Sequence, residues 1–247
     1  MGGVHDAAAR GFARSADAYE RARPDYPAAA VAWLAERLGL RPGRMVVDLA
    51  AGTGKLTRPL AATGAEVVAV EPVAEMRERI GPEAARVLDG TAEAIPLPDA
   101  SADAVAVGQA FHWFDGPAAL AEIHRVVRPG GALGLVWNSR PLDDAVHGAI
   151  EGIIAPYRGD APAQRSGAWR AAFEATALFG PLEERTFRHS RPHDADALAD
   201  RVGSTSFVAA LDDGPQADIL AAVRALAADG PVEVPYVCEV FVCDRRP

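Results

Sequence analysis

Gly52, Gly54, Glu71 and the run Phe111-His112-Trp113-Phe114 are the residues whose types and spacing in this 247-residue chain could do chemistry. The two glycines close a small-residue turn, Ala50-Ala51-Gly52-Thr53-Gly54, directly after the β-branched run that carries Asp48. Glycines let a backbone approach a ligand closely, and a helix that follows such a turn presents unsatisfied N–H groups to it. Glu71 comes 19 residues after Gly52, at the end of a second run, Glu66-Val67-Val68-Ala69-Val70. A carboxylate at that strand end is placed to accept hydrogen bonds from two ribose hydroxyls. The aromatic run follows a third apolar stretch, and a Phe-His-Trp-Phe cluster is costly to expose, so it is expected to line a pocket. His112 has two readings there: a structural histidine, or a base for an acceptor that must lose a proton.

Strand, glycine turn, helix and strand form the βαβ unit that positions the turn and the carboxylate. Before it, a helix is expected over 7–21, then a break at Pro24 and Pro27, then a helix over 28–38 that ends at Gly39. The turn is expected to lead into a helix over 55–63, and Pro72 into another over 72–80. Short strands are expected over 85–88, 102–107 and 132–137, with a helix capped by Asp115 and stopped by Pro129-Gly130-Gly131. Residues 141–180 read as broken helices that cap the substrate, and 182–189 as a sixth strand. Helices over 194–202 and 215–228 and a last strand over 233–244 complete the chain. The domain reading is a single unit: 1–43 as an N-terminal lid, 44–137 as the cofactor-binding core, 138–181 as the cap and 182–247 as C-terminal strands and helices.

Hydrophobic content of 49% and charged content of 24% suit an enzyme with a sizeable core. A net charge of −9 implies no general attraction to nucleic acid or to an anionic membrane. No run of 18 apolar residues occurs and the first residues are polar or small, so a cytoplasmic location is expected. Cys238 and Cys243 fall in one apparent strand on opposite faces, roughly 17 Å apart, and cannot bridge each other. No ligand cluster demands a metal.

Spacing argues against two phosphate readings of the glycine turn. A dinucleotide fingerprint requires a third glycine where Thr57 stands, and a P-loop requires one where Leu49 stands. The turn instead resembles the first motif of class I S-adenosylmethionine-dependent methyltransferases, with Ala50 in place of its first glycine. Gln109-Ala110-Phe111-His112-Trp113-Phe114 is similar to the type 11 group that includes trans-aconitate methyltransferases and related small-molecule enzymes. The Tyr19…Arg23-Pro24-Asp25-Tyr26-Pro27 pattern resembles a subset whose N-terminal segment folds over the cofactor.

The resemblance implies a Rossmann-like α/β fold, with a mostly parallel seven-stranded sheet, helices on both faces, a helical lid and an antiparallel last strand. It implies S-adenosyl-L-methionine as cofactor, S-adenosyl-L-homocysteine as product, and a small-molecule acceptor. Cofactor contacts are implied for Tyr19, Arg23, Asp48, Ala50, Ala51, Gly52, Thr53, Gly54, Glu71, Pro72, Met76, Thr91, Ala92, Glu93, Gln109 and Ala110. Acceptor contacts are implied for Phe12, Tyr26, His112, Trp113, Trp137 and Asn138, with His112 and Tyr19 as the catalytic candidates. Should the acceptor be a carboxylate, Arg23, Arg140 and Arg201 are candidates to position it. Two other classes compete, a nicotinamide-dependent oxidoreductase and a non-catalytic S-adenosylmethionine binder.

Overall fold

A computed structural model describes residues 23–159 and 164–247. The expected helix over 7–21, with Phe12 and Tyr19, lies outside the described residues. Helix α1 (Ala28–Arg37) leads into strand β1 (Met45–Leu49), α2 (Thr57–Ala61), β2 (Glu66–Val70), α3 (Ala74–Arg77) and β3 (Arg86–Leu88). Strand β4 (Ala102–Gly108), a 3₁₀ turn at Phe111–Trp113, α4 (Gly116–Val126) and β5 (Val127–Ser139) follow. The rest comprises α5 (Ala145–Ile154), α6 (Arg170–Ala175), β6 (Glu183–His193), α7 (Ala195–Gly203), α8 (Ser206–Ala209), α9 (Asp213–Ala225) and β7 (Val232–Asp244).

The seven strands form one sheet in the order β3-β2-β1-β4-β5-β7-β6. Only β7 runs antiparallel to its neighbours, pairing with β5 and β6. The expected doubly wound sheet with an inverted last strand is therefore the fold. Strand order reverses between β1 and β4, which pair in parallel, and ligands of such sheets bind beyond the strand ends at that reversal. The glycine turn after β1 and the aromatic run after β4 meet there.

Alternate strand residues feed opposite layers. Val47 and Leu49 join a core with Leu120, Ile123 and Trp137, while Val46 joins Leu34, Leu38 and Leu60 on the other face. Cys238 and Cys243 are buried on these two different faces, as their odd spacing requires. Gly134 lets α1 lie close to the sheet, because a Cβ there would stand 2.4 Å from Leu34 Cδ1. A third core joins α5, α7, α8 and α9 around Tyr236 and Val234 of β7.

Several elements differ from expectation at their ends. Residues 52–56 stay in the turn, so α2 is only Thr57–Ala61, and α3 is only Ala74–Arg77. Pro129-Gly130-Gly131 does not delay β5. Ala102 pairs with Val127 and pairing resumes at Ala104 with Ala132, so the proline-glycine segment is a bulge inside the strand. Helix α4 buries Ala119, Leu120, Ile123 and Val126, with Asp115 accepting from Ala118 N–H at 3.3 Å as its cap.

Asp103 of β4 ties the bulge to the entry of β1. Its buried carboxylate accepts the Met45 N–H at 2.7 Å and pairs with Arg44 at 2.7 Å and with Arg128. Asp103→Ala leaves that N–H and both guanidinium groups short of an acceptor, a loss of about 1–3 kcal/mol. Thermal denaturation is expected to show a fall in Tm of about 3–10 °C; an unchanged Tm would mean that the carboxylate holds nothing together.

Candidate functional site

The turn after β1 is built around two buried carboxylates. Glu71 Oε2 accepts the Gly52 N–H at 2.8 Å, and Oε1 accepts the Val73 N–H at 2.9 Å. Its carboxyl pKa is raised, chiefly by burial. Asp48 Oδ2 accepts the Thr57 hydroxyl at 2.6 Å, whereas the buried Oδ1 has no hydrogen-bond partner. Burial, reinforced by the charge of Glu71, pushes the Asp48 pKa up to about 7 against the pull of the Thr57 hydroxyl. Ala50 takes φ 56°, a left-handed conformation that glycine adopts without strain. The substitution at the motif's first glycine keeps the glycine-like backbone, at a steric cost of about 1–2 kcal/mol.

A narrow cavity of about 40 Å³ opens beside this turn, lined by Asp48, Ala50, Ala51, Gly52 and Thr53 on one side and by Gly108, Gln109 and Tyr26 on the other. Gln109, just past β4, holds φ 61°, another strained backbone at the strand reversal. Pro72 and Met76 follow Glu71, with Met76 buried. Arg77 donates to Glu71 O at 2.7 Å and pairs with Asp89 at 3.3 Å. Among the adenine candidates, Thr91 bridges to Ala94, Ala92 is buried, and Glu93 accepts the Asp115 N–H at 3.0 Å. Ala110 packs against the main core.

Residues 23–26 cross the mouth of the cavity as a strap. Arg23 donates to Ser204 Oγ at 3.2 Å and Ser204 O at 3.0 Å. Asn138 donates to Pro24 O and Asp25 O, each at 3.2 Å, while its Oδ1 faces His189 Nε2 at 3.0 Å. Lys55 pairs with Asp25 at 2.8 Å. The Tyr26 hydroxyl lies so close to β4 that a Cβ on Gly108 would stand 2.6 Å from it. Sequence reasoning singled out Arg23, Tyr26 and Asn138. It missed Ser204, Lys55 and Gly108, because each acts through a partner distant in the chain.

A second cavity, about 150 Å³, adjoins the first across Arg23, Gln109, Asn138 and Arg201. His112, Trp113 and Trp137 form its aromatic wall. Trp137 Nε1 approaches His112 Nδ1 at 3.4 Å. An indole nitrogen only donates, so Nδ1 is the acceptor and the neutral ring carries its proton on Nε2. Burial first, and then the charge of Arg23, lowers the His112 pKa to about 4. Arg140, Arg158, Arg165 and Arg201 line this cavity as well. Arg158 and Arg165 come from the 138–181 segment, where no motif announces them. Among the described residues no group of His, Cys, Asp and Glu is arranged to hold a metal ion, and no helix is long and apolar enough to cross a membrane.

The methyltransferase domain model matches residues 47–135, which span the turn, both carboxylates and the aromatic run. An uncharacterized methyltransferase-like protein of Schizosaccharomyces pombe is 36% identical over 241 residues, covering 93% of each chain. The chain belongs to the class I S-adenosylmethionine-dependent methyltransferases. An uncharacterized methyltransferase of Mycobacterium tuberculosis is 51% identical over 132 residues, a match that spans only 52% of either chain. The solved structure of a protein assigned to the type II methyltransferases, from Anaeromyxobacter dehalogenans, superposes with a TM-score of 0.67 at 27% identity, covering 91% of this chain and 97% of that one. Membership in this family sets the nicotinamide reading aside.

The methyltransferase's buried acid leaves a signature in its stability. Asp48 ionises near 3.8 when unfolded and near 7 when folded. Folding therefore takes up a proton between those values, and this contribution falls as pH rises, by up to about 1.4 kcal/mol per pH unit. His112, lowered from 6.5 to about 4, contributes in the opposite sense. Asp48→Asn removes the first slope only. Denaturant titrations of the ligand-free protein from about pH 4.5 to 7 are expected to show the variant gaining stability relative to wild type as pH rises; parallel profiles would mean an ordinary Asp48.

Proposed function

We propose that the methyltransferase binds S-adenosylmethionine at the Asp48–Glu71 turn and transfers its methyl group to a small molecule held in the adjoining cavity. The observation that carries this reading is the buried Asp48 Oδ1, which has no hydrogen-bond partner, on a residue that lines the cavity at the turn. The ammonium of a methionine moiety is a donor suited to it. Glu71 already accepts two backbone N–H groups, yet an ionised carboxylate offers about four lone-pair sites, so two remain for ribose hydroxyls. Thr91, Ala92 and Glu93 are the residues proposed for the base edge. Arg23, at the boundary of both cavities, suits the cofactor's carboxylate.

When bound, S-adenosylmethionine supplies an electrophilic methyl carbon: an acceptor lone pair bonds to it while the C–S electrons return to sulfur, leaving a neutral thioether. The protein's part is to orient the acceptor and keep water out. The strap over residues 23–26 covers the mouth, and the aromatic wall supports the acceptor. With a pKa near 4 and Nδ1 occupied by Trp137, His112 is a poor base at neutral pH and a hydrogen-bond donor through Nε2. This favours an acceptor that is already a nucleophile without proton removal.

Release of S-adenosylhomocysteine across an acceptor panel tests the activity, and its pH dependence tests the histidine. His112→Gln keeps a donor, so kcat is expected to fall by about tenfold or less, with flat profiles from about pH 5.5 to 8.5 for both proteins. An acidic limb in the wild type that vanishes in the variant would make His112 the base instead.

A further inference from the structure

The acceptor cavity gathers positive charge in an acidic protein. Five arginines, 23, 140, 158, 165 and 201, line it, with no aspartate or glutamate among the described lining residues, although the chain's net charge is −9. Two of them are offset from behind. Glu151 accepts from Arg158 at 2.7 and 2.8 Å and from Arg165 at 2.5 Å, and Arg158 also stacks on Phe207 at 4.9 Å. Arg23 is engaged by Ser204.

Arg140 and Arg201 are not offset in this way. Arg201 is 5% exposed, yet its Nε and Nη1 have no hydrogen-bond partner. Arg140 is held by charges of which Arg201, Arg23 and Arg158 are repulsive and only Glu151 is attractive. Burial and these cations disfavour its charged form, but a guanidinium does not give up its proton in a protein. The outcome is a buried Arg201 with unpartnered donors beside a half-buried Arg140 whose neighbours are mostly cations, both lining the cavity. Leaving them so is costly unless an anion arrives.

We propose that the methyl acceptor is a polyanion, with at least two carboxylate or phosphate groups, whose anionic end docks on Arg140 and Arg201. This rests on the reading of the cavity as the acceptor site. The anion supplies acceptors for the free donors of Arg201 and offsets Arg140. It also balances the positive sulfonium that the neighbouring cavity is proposed to receive. Planar guanidinium groups suit both carboxylate and phosphate oxygens, so the chemistry shared by the two is what the site selects.

Calorimetry on the full chain saturated with S-adenosylhomocysteine, at fixed ionic strength, tests this. The probes are succinate, pyrophosphate and, as the neutral match in shape, succinamide. Succinate or pyrophosphate is expected to bind at least about tenfold tighter than succinamide. Whichever of the two binds tighter identifies the anion as carboxylate or phosphate. Arg140 lines only the acceptor cavity, so Arg140→Gln is expected to cost about tenfold in anion affinity and to leave S-adenosylhomocysteine affinity unchanged. The proposal is overturned if neither anion outbinds succinamide in protein that binds S-adenosylhomocysteine, or if Arg140→Gln binds the anion as wild type does. Wild-type protein that fails to bind S-adenosylhomocysteine would instead overturn the cofactor reading on which the proposal stands.

Discussion

The Glu71 carboxylate is the constraint on which the rest of the site depends. It sits at the end of β2 and reaches sideways to the Gly52 N–H beyond β1, while its other oxygen turns back to the Val73 N–H. Two loops at the ends of neighbouring parallel strands are thereby fixed by one buried charge. Charge-assisted bonds of this kind are worth about 1.5–3 kcal/mol each; they offset part of the cost of burying the carboxylate, whose pKa stays raised, and hold a turn with left-handed Ala50, Gly52 and Gly54. On the proposed reading the remaining lone pairs accept from the ribose, so a change at Glu71 would act on scaffold and recognition together.

Charge differs between the two cavities. Among the described residues, Asp48 is the one carboxylate lining the cavity at the turn, beside Arg23, Lys55 and Arg201, whereas its neighbour is lined by five arginines and no carboxylate. A positive sulfonium and an anionic acceptor brought together there would each lose one charge on transfer. Asn138 stands at the junction, holding the strap through Pro24 O and Asp25 O and facing His189 through its carbonyl. The strap and both cavities therefore share a single buried amide on β5.

What the sequence made legible was whatever depends on near neighbours. The β1 turn, the position of Glu71 and the alternation that separates Cys238 from Cys243 all follow from local pattern. The helix lengths of α2 and α3 did not; for α2, the glycine turn consumed residues that propensity alone assigns to helix. The bulge in β5 was also hidden, since Pro129-Gly130-Gly131 reads as a stop and only pairing with β4 carries the strand through it. His112 shows the same limit at the site. Its type and place suggest a base, but its tautomer and lowered pKa come from Trp137 and Arg23, which the fold alone brings to it. Arg158, Arg165 and Ser204 carry no motif and gain their roles by folding.

The claim that one carboxylate both builds the turn and holds the ribose is tested by changing the ligand and the protein together. Calorimetric binding of S-adenosylhomocysteine and of its 2′,3′-dideoxy analogue would be compared in wild type and in Glu71→Ala. The account predicts that removing the hydroxyls weakens binding to wild type by at least about tenfold and to the variant by little, because their acceptor is already gone. An equal loss in both proteins would place the ribose hydroxyls on some other group and contradict the account.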